Sequence, residues 1–358
     1  MITLKTFNRK ELEDFIYSGT FQQYDFLPIT KHRALSHLKN PKAADGDTLL
    51  ILAFYEEKLI GYVGCFPDRF VVAGKEIRYA WLSTLYVNPE YRKKRPAKAL
   101  LKKAFEEYEG RIAITEFTKE AEALYNIMGV FEYVFPKEGK RYYFKTDAAK
   151  IIPEKKPGVK PLKPLFKTLD AAANLFISIK NLPVRKPDFK YEIIDRIDKE
   201  SADFINAFPG VRNADEINTF IDHSWVLEGK KDERYLFSSF ADTFTYFWIK
   251  IFDHNNKLKA CLLLQLRDGY LKVPYLFSTA DLNEAVQFLN YFIVSNKIKA
   301  FTSYQTKLNE VIQQSKAFSP VYKRDFHREY LFHKNLLELL PKNFNPNYQD
   351  GDGDCMMT

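Results

Sequence analysis

The chain has 358 residues, 46% of them hydrophobic and 28% charged, and its formal net charge is +8. This length favours two domains over one, and the apolar content excludes a largely disordered chain. The three cysteines, Cys65, Cys261 and Cys355, lack paired spacing and indicate neither a zinc site nor a disulfide framework. No apolar run reaches the roughly 18 residues needed to span a membrane, and the N-terminus lacks a signal-peptide core. We therefore expect a cytoplasmic protein without a membrane span.

The first segment, residues 1–148, is predicted to be an α+β domain with a mixed sheet. Apolar periodicity and turn signals indicate a short helix at 11–17, strands at 48–55, 59–66, 70–73 and 77–87, a helix at 96–108, a strand at 111–117, a helix at 119–128 and a strand at 141–144. Strands followed by alternating helices and strands predict one sheet covered by helices.

The second segment, residues 149–190, is predicted to be a basic connector. Four prolines among lysines disfavour a helix or a central strand over its first part: Pro153, Pro157, Pro161 and Pro164. Two more, Pro183 and Pro187, follow near its end. Between these two groups of prolines, 165–180 is predicted to be one docking helix with an apolar face formed by Leu165, Phe166, Leu169, Ala172 and Phe176. Either a membrane surface or the junction of two lobes would bury this face. We favour packing between lobes.

The third segment, residues 191–340, repeats the order of the first. Strands are predicted at 246–252, 258–267 and 270–277, a helix at 282–295, a strand at 299–304, a helix at 308–314 and a strand at 329–334. We therefore expect two tandem lobes of the same fold, the second degenerate. Residues 341–358 form a loop-like tail whose three aspartates, Asp350, Asp352 and Asp354, lack the other positions of a calcium loop, so no metal is expected.

The stretch 82–101, LSTLYVNPEYRKKRPAKALL, reads as a strand that passes through an arginine-rich turn into a helix. A helix N-terminus favours anions because its first amides are unpaired and its dipole is positive there. The stretch resembles the acyl-CoA-binding motif of the GCN5-related N-acetyltransferase (GNAT) superfamily, Arg/Gln-x-x-Gly-x-Gly/Ala after V-x-P-x-x-R. Val87, Pro89, Arg92 and Ala97 match, whereas Arg95 replaces the first glycine and lacks its freedom at positive φ.

A second stretch, KEAEALYNIMGVF, resembles the superfamily motif A-x-x-L-Y-x-x-x-G-F. Ala121, Leu124, Tyr125 and Gly129 match, and Val130 stands where phenylalanine is usual. The two motifs lie on the expected elements, roughly 30 residues apart, as the superfamily pattern requires.

The resemblance implies a site for acetyl-CoA or another acyl-CoA and no metal. The implied cofactor-binding residues are Leu85, Tyr86, Val87, Arg92, Lys93, Lys94, Arg95, Pro96 and Ala97. Backbone groups of Leu85 and Tyr86 would polarise the thioester if the strand bulges there, as it does in the superfamily. Tyr125 would protonate the departing CoA thiolate, and Glu116, at the end of the 111–117 strand, is the candidate general base.

Two such lobes in one chain resemble the arrangement of Fem-type aminoacyltransferases and N-myristoyltransferases. We expect an acyl-CoA-dependent N-acyltransferase whose acceptor, a small-molecule or peptide amine, lies in an interlobe cleft. A catalytically silent GNAT-like module that binds a ligand or protein is the alternative, favoured by Arg95 and opposed by Arg92 and Tyr125. A further alternative is an aminoacyltransferase that uses aminoacyl-tRNA; other nucleic-acid binding is not expected from so mild a charge excess.

Overall fold

The computed structural model describes residues 1–180, 184–210, 212–231, 233–279, 281–315 and 318–357. Pro183 of the predicted connector lies outside the described residues. The strands are β1 (Ile2–Phe7), β2 (Leu50–Tyr55), β3 (Lys58–Val72), β4 (Lys75–Val87), β5 (Ile112–Thr115), β6 (Phe131–Tyr143), β7 (Tyr191–Ile194), β8 (Leu227–Glu228), β9 (Phe240–Ala241), β10 (Phe244–Phe252), β11 (Leu258–Arg267), β12 (Tyr270–Ser278), β13 (Ala300–Ser303) and β14 (Tyr322–His333).

The α-helices are α1 (Arg9–Tyr17), α2 (Lys31–Leu38), α3 (Pro96–Glu107), α4 (Lys119–Met128), α5 (Ala148–Lys155), α6 (Lys163–Lys180), α7 (Lys199–Ile205), α8 (Ala214–Asp222), α9 (Asn283–Ser295), α10 (Thr306–Gln314) and α11 (Lys334–Glu338). Short 3₁₀ helices cover Thr20–Gln23, Pro89–Lys94, Pro157–Leu162 and Cys355–Met357. The predicted mixed α/β class with two lobes is confirmed.

The chain forms two compact units, each assembled from separate segments. The first unit comprises Met1–Lys137, Arg196–Phe244 and Arg328–Thr358, and the second comprises Glu138–Asp195 and Thr245–His327. This division differs from the contiguous segments 1–148, 149–190, 191–340 and 341–358 expected from sequence. Long-range contacts explain the difference, because residues from 196–244 and from the chain's end are buried against strands β3 and β4.

In the first unit, β1, β2, β3 and β4 are antiparallel neighbours, β4 is parallel to β5, and β14 follows β5. Successive residues of a strand face opposite sides of a sheet. Leu50 and Leu52 of β2 accordingly contribute to a core with α1 and α2, whereas Ile51 and Ala53 contribute to a core with α3 and α4.

Several elements of the first unit were not among those predicted from sequence. They are the strand β1 and the helix α2 near the N-terminus, α7, α8, β8 and β9 within 196–244, and α11 after β14. The predicted strands 59–66 and 70–73 are one strand, β3, which continues through Pro67. Pro67 is paired with Ala80 in the ladder, and the carbonyl oxygen of Pro67 accepts a hydrogen bond from the side chain of Asn40.

The connector departs from its prediction in two ways. The helix α5 forms despite Pro153, which lies near its C-terminal end, and Asp170 accepts hydrogen bonds from the first α5 amides, Ala148 and Ala149. The predicted helix 165–180 is present as α6, but of its predicted apolar face Leu165, Leu169, Ala172 and Phe176 are exposed and Phe166 is partly buried. The predicted docking of this face is therefore not seen among the described residues.

In the second unit, the strand order is β6-β13-β12-β11-β10-β7, with β13 antiparallel to β6 and parallel to β12. One core joins these strands to α9 and α10. Among the described residues, no helix has the length and apolar character that crossing a membrane requires.

Candidate functional site

The two central strands of the first unit diverge at their C-terminal ends. β4 pairs with β5 at only two positions, Ala80 with Ile112 and Trp81 with Ala113, and β4 then continues for six residues to Val87. Residues 84–88 are partly exposed, whereas the paired part of β4 is buried. We call this divergence the fork. It leaves an accessible strip of β4 backbone beside the end of β5.

A β-bulge interrupts β4 within the fork. Tyr62 of β3 is opposite Tyr86 and Gly64 is opposite Ser83, so Thr84 and Leu85 together face a single residue of β3. Thr84 has φ of 54°, in the left-handed region. A bulge leaves the extra residue outside the regular ladder and redirects the strand. The bulge that the resemblance implied near Leu85 and Tyr86 is therefore present.

The fork ends in a basic turn, residues 92–97, that leads into α3. A 3₁₀ helix ends at Lys94, Arg95 adopts left-handed angles of 60° and 41°, and α3 begins at Pro96. No side chain caps α3, so its first amides, at Ala97 and Lys98, have no side-chain partner there. The side chains of residues 92–95 are exposed. Arg95 thus adopts the conformation that a glycine would adopt, although a residue with a Cβ is strained in it.

Tyr125 lies on α4 and faces the core beneath the fork. Its ring makes edge contacts with Phe117 and Phe131, and its side chain is almost completely buried. Burial raises the pKa of Tyr125, and the negative charge of Asp354 raises it further. The phenol therefore keeps its proton at neutral pH, as a proton donor requires.

Glu116 follows β5 and is half exposed. One of its carboxylate oxygens accepts a hydrogen bond from Nη2 of Arg328 at 2.6 Å. The same guanidinium is buried and bonds the Asp350 carboxylate through Nη1 at 2.5 Å. The structure thus places the predicted base in an ion pair rather than leaving it to accept a proton from a substrate.

Within the tail, residues 345–357 are largely buried in the first unit, which the sequence did not indicate. A Cβ atom on Gly353 would lie 3.3 Å from Thr115 and 3.6 Å from Trp81, so the tail crosses the sheet where the fork begins. The backbone carbonyl of Met357 accepts a hydrogen bond from the amide of Trp225, and the Sδ atom accepts one from Ser36.

Asp354 is a tail carboxylate whose acidity is altered by its surroundings. Burial raises the pKa of Asp354 to about 7, and the neighbouring charge of Glu116 acts in the same direction. Sequence reasoning missed this carboxylate because the three aspartates of DGDGDC were tested only as a metal loop. The glycines that alternate with these aspartates were the available signal that the tail packs closely. Gly353 has a φ of 77°, which favours glycine, and a Cβ atom there would contact neighbouring side chains.

A buried ion-pair network holds the tail against the sheet. Asp68 of β3 pairs with Lys42 at 2.8 Å and with Arg212 at 3.2 Å, and Arg212 donates a hydrogen bond to the Gly353 carbonyl at 2.9 Å. Burial alone would raise the pKa of Asp68, but the two cations and a hydrogen bond from Trp81 outweigh it and lower the pKa to about 2. Asp68 is therefore ionised and binds both cations at neutral pH.

A cluster of buried polar side chains lies on the opposite side of β4 from α3, and several of its donor atoms have no hydrogen-bond partner among the described residues. Arg33 of α2 is 2% exposed and stacks 3.5 Å from the centre of the Trp225 ring. Among the described residues, Nη2 of Arg33 and the hydroxyls of Tyr62 and Ser83 have no hydrogen-bond partner. The positive charge of Arg33 also acts on Asp354, whose pKa it lowers. Buried charges in proteins are normally paired. A ligand with an anionic group would satisfy these donors.

The nearby His37 does not supply charge. Its ring is fully buried and stacks on Trp225, with Phe66 at its edge. Burial lowers the pKa of His37 to about 3, with a further contribution from the positive charge of Arg33. The imidazole is neutral at physiological pH, so Arg33 is the cation of this group.

Comparison with known proteins agrees with this geometry. Residues 10–130 match the model of the acetyltransferase (GNAT) family. These residues include the fork, the basic turn and Tyr125. Residues 10–130 therefore match a GNAT acetyltransferase domain, which supports the predicted superfamily and, with it, the predicted class of enzyme, an N-acyltransferase.

Solved structures share the fold at low sequence identity. A conserved protein of unknown function from Enterococcus faecalis V583, described as a probable N-acyltransferase, aligns with a TM-score of 0.54 at 12% identity over 96% of this chain and 75% of that one. GCN5-related N-acetyltransferases from Anabaena variabilis ATCC 29413 and Kribbella flavida each align with a TM-score of 0.50, at 13% and 11% identity. They cover 92% of this chain, and 72% and 71% of their own. No curated protein matches the chain.

Proposed function

We propose that the protein transfers an acyl group from acyl-CoA, with acetyl-CoA the first candidate, to an amine, and that the thioester binds in the fork of the first unit. One observation carries this proposal: a bulged, partly exposed β4 diverges from β5 and leads directly to the uncapped, basic N-terminus of α3. A strip of free backbone is suited to the extended pantetheine arm, and the helix terminus is suited to the pyrophosphate.

The implied cofactor-binding residues have distinct roles in this arrangement. Leu85, Tyr86 and Val87 offer backbone groups along the fork, those next to the bulge being aimed at the thioester oxygen. The amide of Ala97 faces the pyrophosphate, and Pro96 sets the start of α3 without supplying a donor. The four exposed cations add charge around the phosphates: Arg92, Lys93, Lys94 and Arg95.

The chemistry uses two groups with raised pKa values. Asp354 accepts the proton of the attacking amine, because a carboxylate with a pKa near 7 is about half ionised at neutral pH and its ionised form is sufficiently basic. The amine nitrogen forms a bond to the acyl carbon, the C–S bond breaks, and Tyr125 donates its proton to the departing thiolate. Glu116 then acts on Asp354 through its charge and is not itself the base.

We further propose that the acceptor is an amine that also carries an anionic group, such as a carboxylate. Arg33 is a buried cation whose Nη2 has no hydrogen-bond partner among the described residues, and Tyr62 and Ser83 offer further donors next to the bulge. An acceptor anion held by Arg33 would place the amine on the α2 side of β4, where the tail and Asp354 also lie. A small acidic amine or a peptide end would both satisfy this requirement.

Titration calorimetry with acetyl-CoA and with free CoA tests the cofactor site. We expect one bound molecule per chain, and we expect Arg92→Glu to weaken binding at least tenfold because it replaces a phosphate partner by a like charge. Lys342→Glu, an equal charge reversal at an exposed site on the same unit, serves as the control and should leave affinity unchanged. Unaltered binding by Arg92→Glu would refute the placement at the basic turn.

A further inference from the structure

The helix α6 of the second unit exposes a continuous apolar face. Leu165 is 53% exposed, Leu169 55%, Phe176 70% and Ile179 55%. Their spacing of three or four residues, with Ala172 between them, places all of them on one side of a helix. Isolated exposed apolar residues are ordinary, but a contiguous patch of this kind marks an interaction surface.

The opposite side of α6 is held in place by specific contacts. Asp170 accepts hydrogen bonds from two α5 amides, and Asn174 donates to the Thr146 carbonyl at 3.0 Å and accepts from the Thr146 amide at 2.9 Å. Phe166 and Ile177, on the same side as these two residues, are partly buried. The apolar face is thus presented outward by an anchored helix.

The polar side of α6 and the segment before it carry positive charge. Five exposed lysines lie at the end of α5, in the following 3₁₀ helix and in the first half of α6: Lys155, Lys156, Lys160, Lys163 and Lys167. The one exposed acid in this stretch is Glu154, since Asp170 is partly buried and bonded to α5.

A cavity of about 540 Å³ lies beside the lysines of α6. Its cationic lining is Lys145, Lys163, Lys167 and Lys299, and its acidic lining is Asp147 and Asp170. Burial lowers the pKa of Lys145, and the charges of Lys297 and Lys299 lower it further. The cavity thus concentrates more positive than negative charge, which suits a phosphate group.

We propose that α6 binds the surface of an anionic phospholipid bilayer, with its apolar face among the acyl chains and the lysines at the headgroups. An amphipathic helix with an apolar face and lysines on its polar side is the typical form of an interfacial membrane anchor. A second copy of the chain is a poorer occupant, because it would bring together two segments that each carry five exposed lysines and one exposed acid. Charge complementarity therefore selects an anionic surface.

Co-sedimentation of the full chain with vesicles tests this proposal. We expect binding to vesicles of phosphatidylcholine mixed with phosphatidylglycerol, weaker binding to phosphatidylcholine alone, and a decline with added salt. The double variant Leu169→Asp/Phe176→Asp should lower partitioning by roughly tenfold or more through lost apolar burial. Lys163→Glu/Lys167→Glu should lower it by at least fivefold per lysine, on the order expected for a charge at an anionic surface.

Leu339→Asp is the matched control, because Leu339 is a similarly exposed leucine on the first unit. Absence of binding to the anionic vesicles, or binding that all these variants leave intact, would overturn the proposal. A concentration-dependent dimer in sedimentation velocity that Leu169→Asp/Phe176→Asp abolishes would assign the face to a second copy instead. Vesicle binding requires no acyl transfer, so this test is independent of the proposed function.

Discussion

Tyr125 and Asp354 lie close enough for the charge of one to change the acidity of the other. Burial is the main cause of both raised pKa values, and Asp354 adds to the shift of Tyr125. An ionised Asp354 and a neutral Tyr125 therefore coexist above pH 7, which is the combination that a base and an acid acting in one step require.

The first residue-scale prediction concerns Tyr125. Tyr125→Phe keeps the ring and its edge contacts but removes the proton, so kcat should fall by about 10²–10⁴ while the dissociation constant for acetyl-CoA stays nearly unchanged. Steady-state kinetics and calorimetry measure the two quantities separately. Tyr133→Phe, at an exposed tyrosine that follows α4, should change neither. An equal loss of affinity and rate in Tyr125→Phe would make Tyr125 a packing residue.

The second concerns the dependence of activity on pH. Because Asp354 must be deprotonated to act as the base, kcat/KM should rise with pH with a midpoint near its pKa of about 7. Glu116→Gln removes a negative charge that raises this pKa, so the midpoint should move to lower pH while activity at high pH is retained. Asp354→Asn should abolish the rise and lower the rate.

The same amine acceptor must be used for all these variants, so that its own ionisation contributes equally to every profile. If Glu116→Gln loses as much activity as Asp354→Asn, Glu116 is the base and the assignment is wrong.

At the scale of elements, the entry into α3 combines an anion site with backbone strain. A residue with a Cβ in the left-handed region costs roughly 1–2 kcal/mol relative to the right-handed one, a cost that glycine avoids. Arg95 has a φ of 60° and is therefore strained in this way. Its exposed side chain adds a positive charge to the basic turn, which glycine would not.

Replacing Arg95 tests this interpretation. Arg95→Gly should raise the free energy of unfolding by about 0.5–1 kcal/mol, because it relieves strain that exceeds the extra entropy of an unfolded glycine. Arg95→Ala keeps the Cβ atom and should give no comparable gain. Urea denaturation of the two variants at equal m-values makes the comparison. Equal stabilisation by both would show that the side-chain charge, rather than the backbone, is responsible.

At the scale of the whole molecule, the acyltransferase unit depends on parts of the chain that are remote in sequence. Arg212 and Trp225 come from the middle of the chain and the tail comes from its end, yet all contact strands or helices of the first 137 residues. A segment ending at residue 148 would lack Arg212, Arg328 and Asp354. The proposed base and the buried network that holds the tail against the sheet would both be missing.

Asp68 is the centre of the buried ion-pair network that holds the tail, and substituting Asp68 tests how much this network stabilises the fold. Asp68→Asn leaves Lys42 and Arg212 buried with one counter-charge fewer, so the free energy of unfolding at pH 7 should fall by about 3–5 kcal/mol. Asp325→Asn breaks an exposed pair with Lys140 and should cost less than about 1 kcal/mol. Equilibrium unfolding measures both. A loss at Asp68 no larger than that at Asp325 would contradict a structural role for the network.

The lowered pKa of Asp68 also predicts the direction in which the stability of the fold changes with pH. A carboxylate whose pKa is lower in the folded state stabilises the fold above its unfolded pKa of about 4. This contribution, on the order of 2 kcal/mol, is lost as pH falls towards 2. The wild-type protein should therefore lose more stability than Asp68→Asn between pH 4 and pH 2.

The sequence by itself determined the local elements and the motif that they carry. The 3.6-residue spacing of α3 and α4, the strand before the basic turn and the glycine after α4 are short-range features, and they predicted these elements. The resemblance of the two motifs on these elements to those of the GNAT superfamily then implied Arg92 and Tyr125 as site residues. The helix α6 was also predicted from its periodicity. Each of these depends on neighbours within a few residues.

Only the tertiary structure decided which remote residues complete the site. Glu116 is ion-paired because Arg328, 212 positions later, lies beside it. Asp354 gains a raised pKa because the tail is buried against the sheet, and the packing around Arg33 leaves its Nη2 without a hydrogen-bond partner among the described residues. The exposure of α6 likewise follows from how its other face is anchored. Burial and long-range pairing set these properties, and neither is encoded in local spacing.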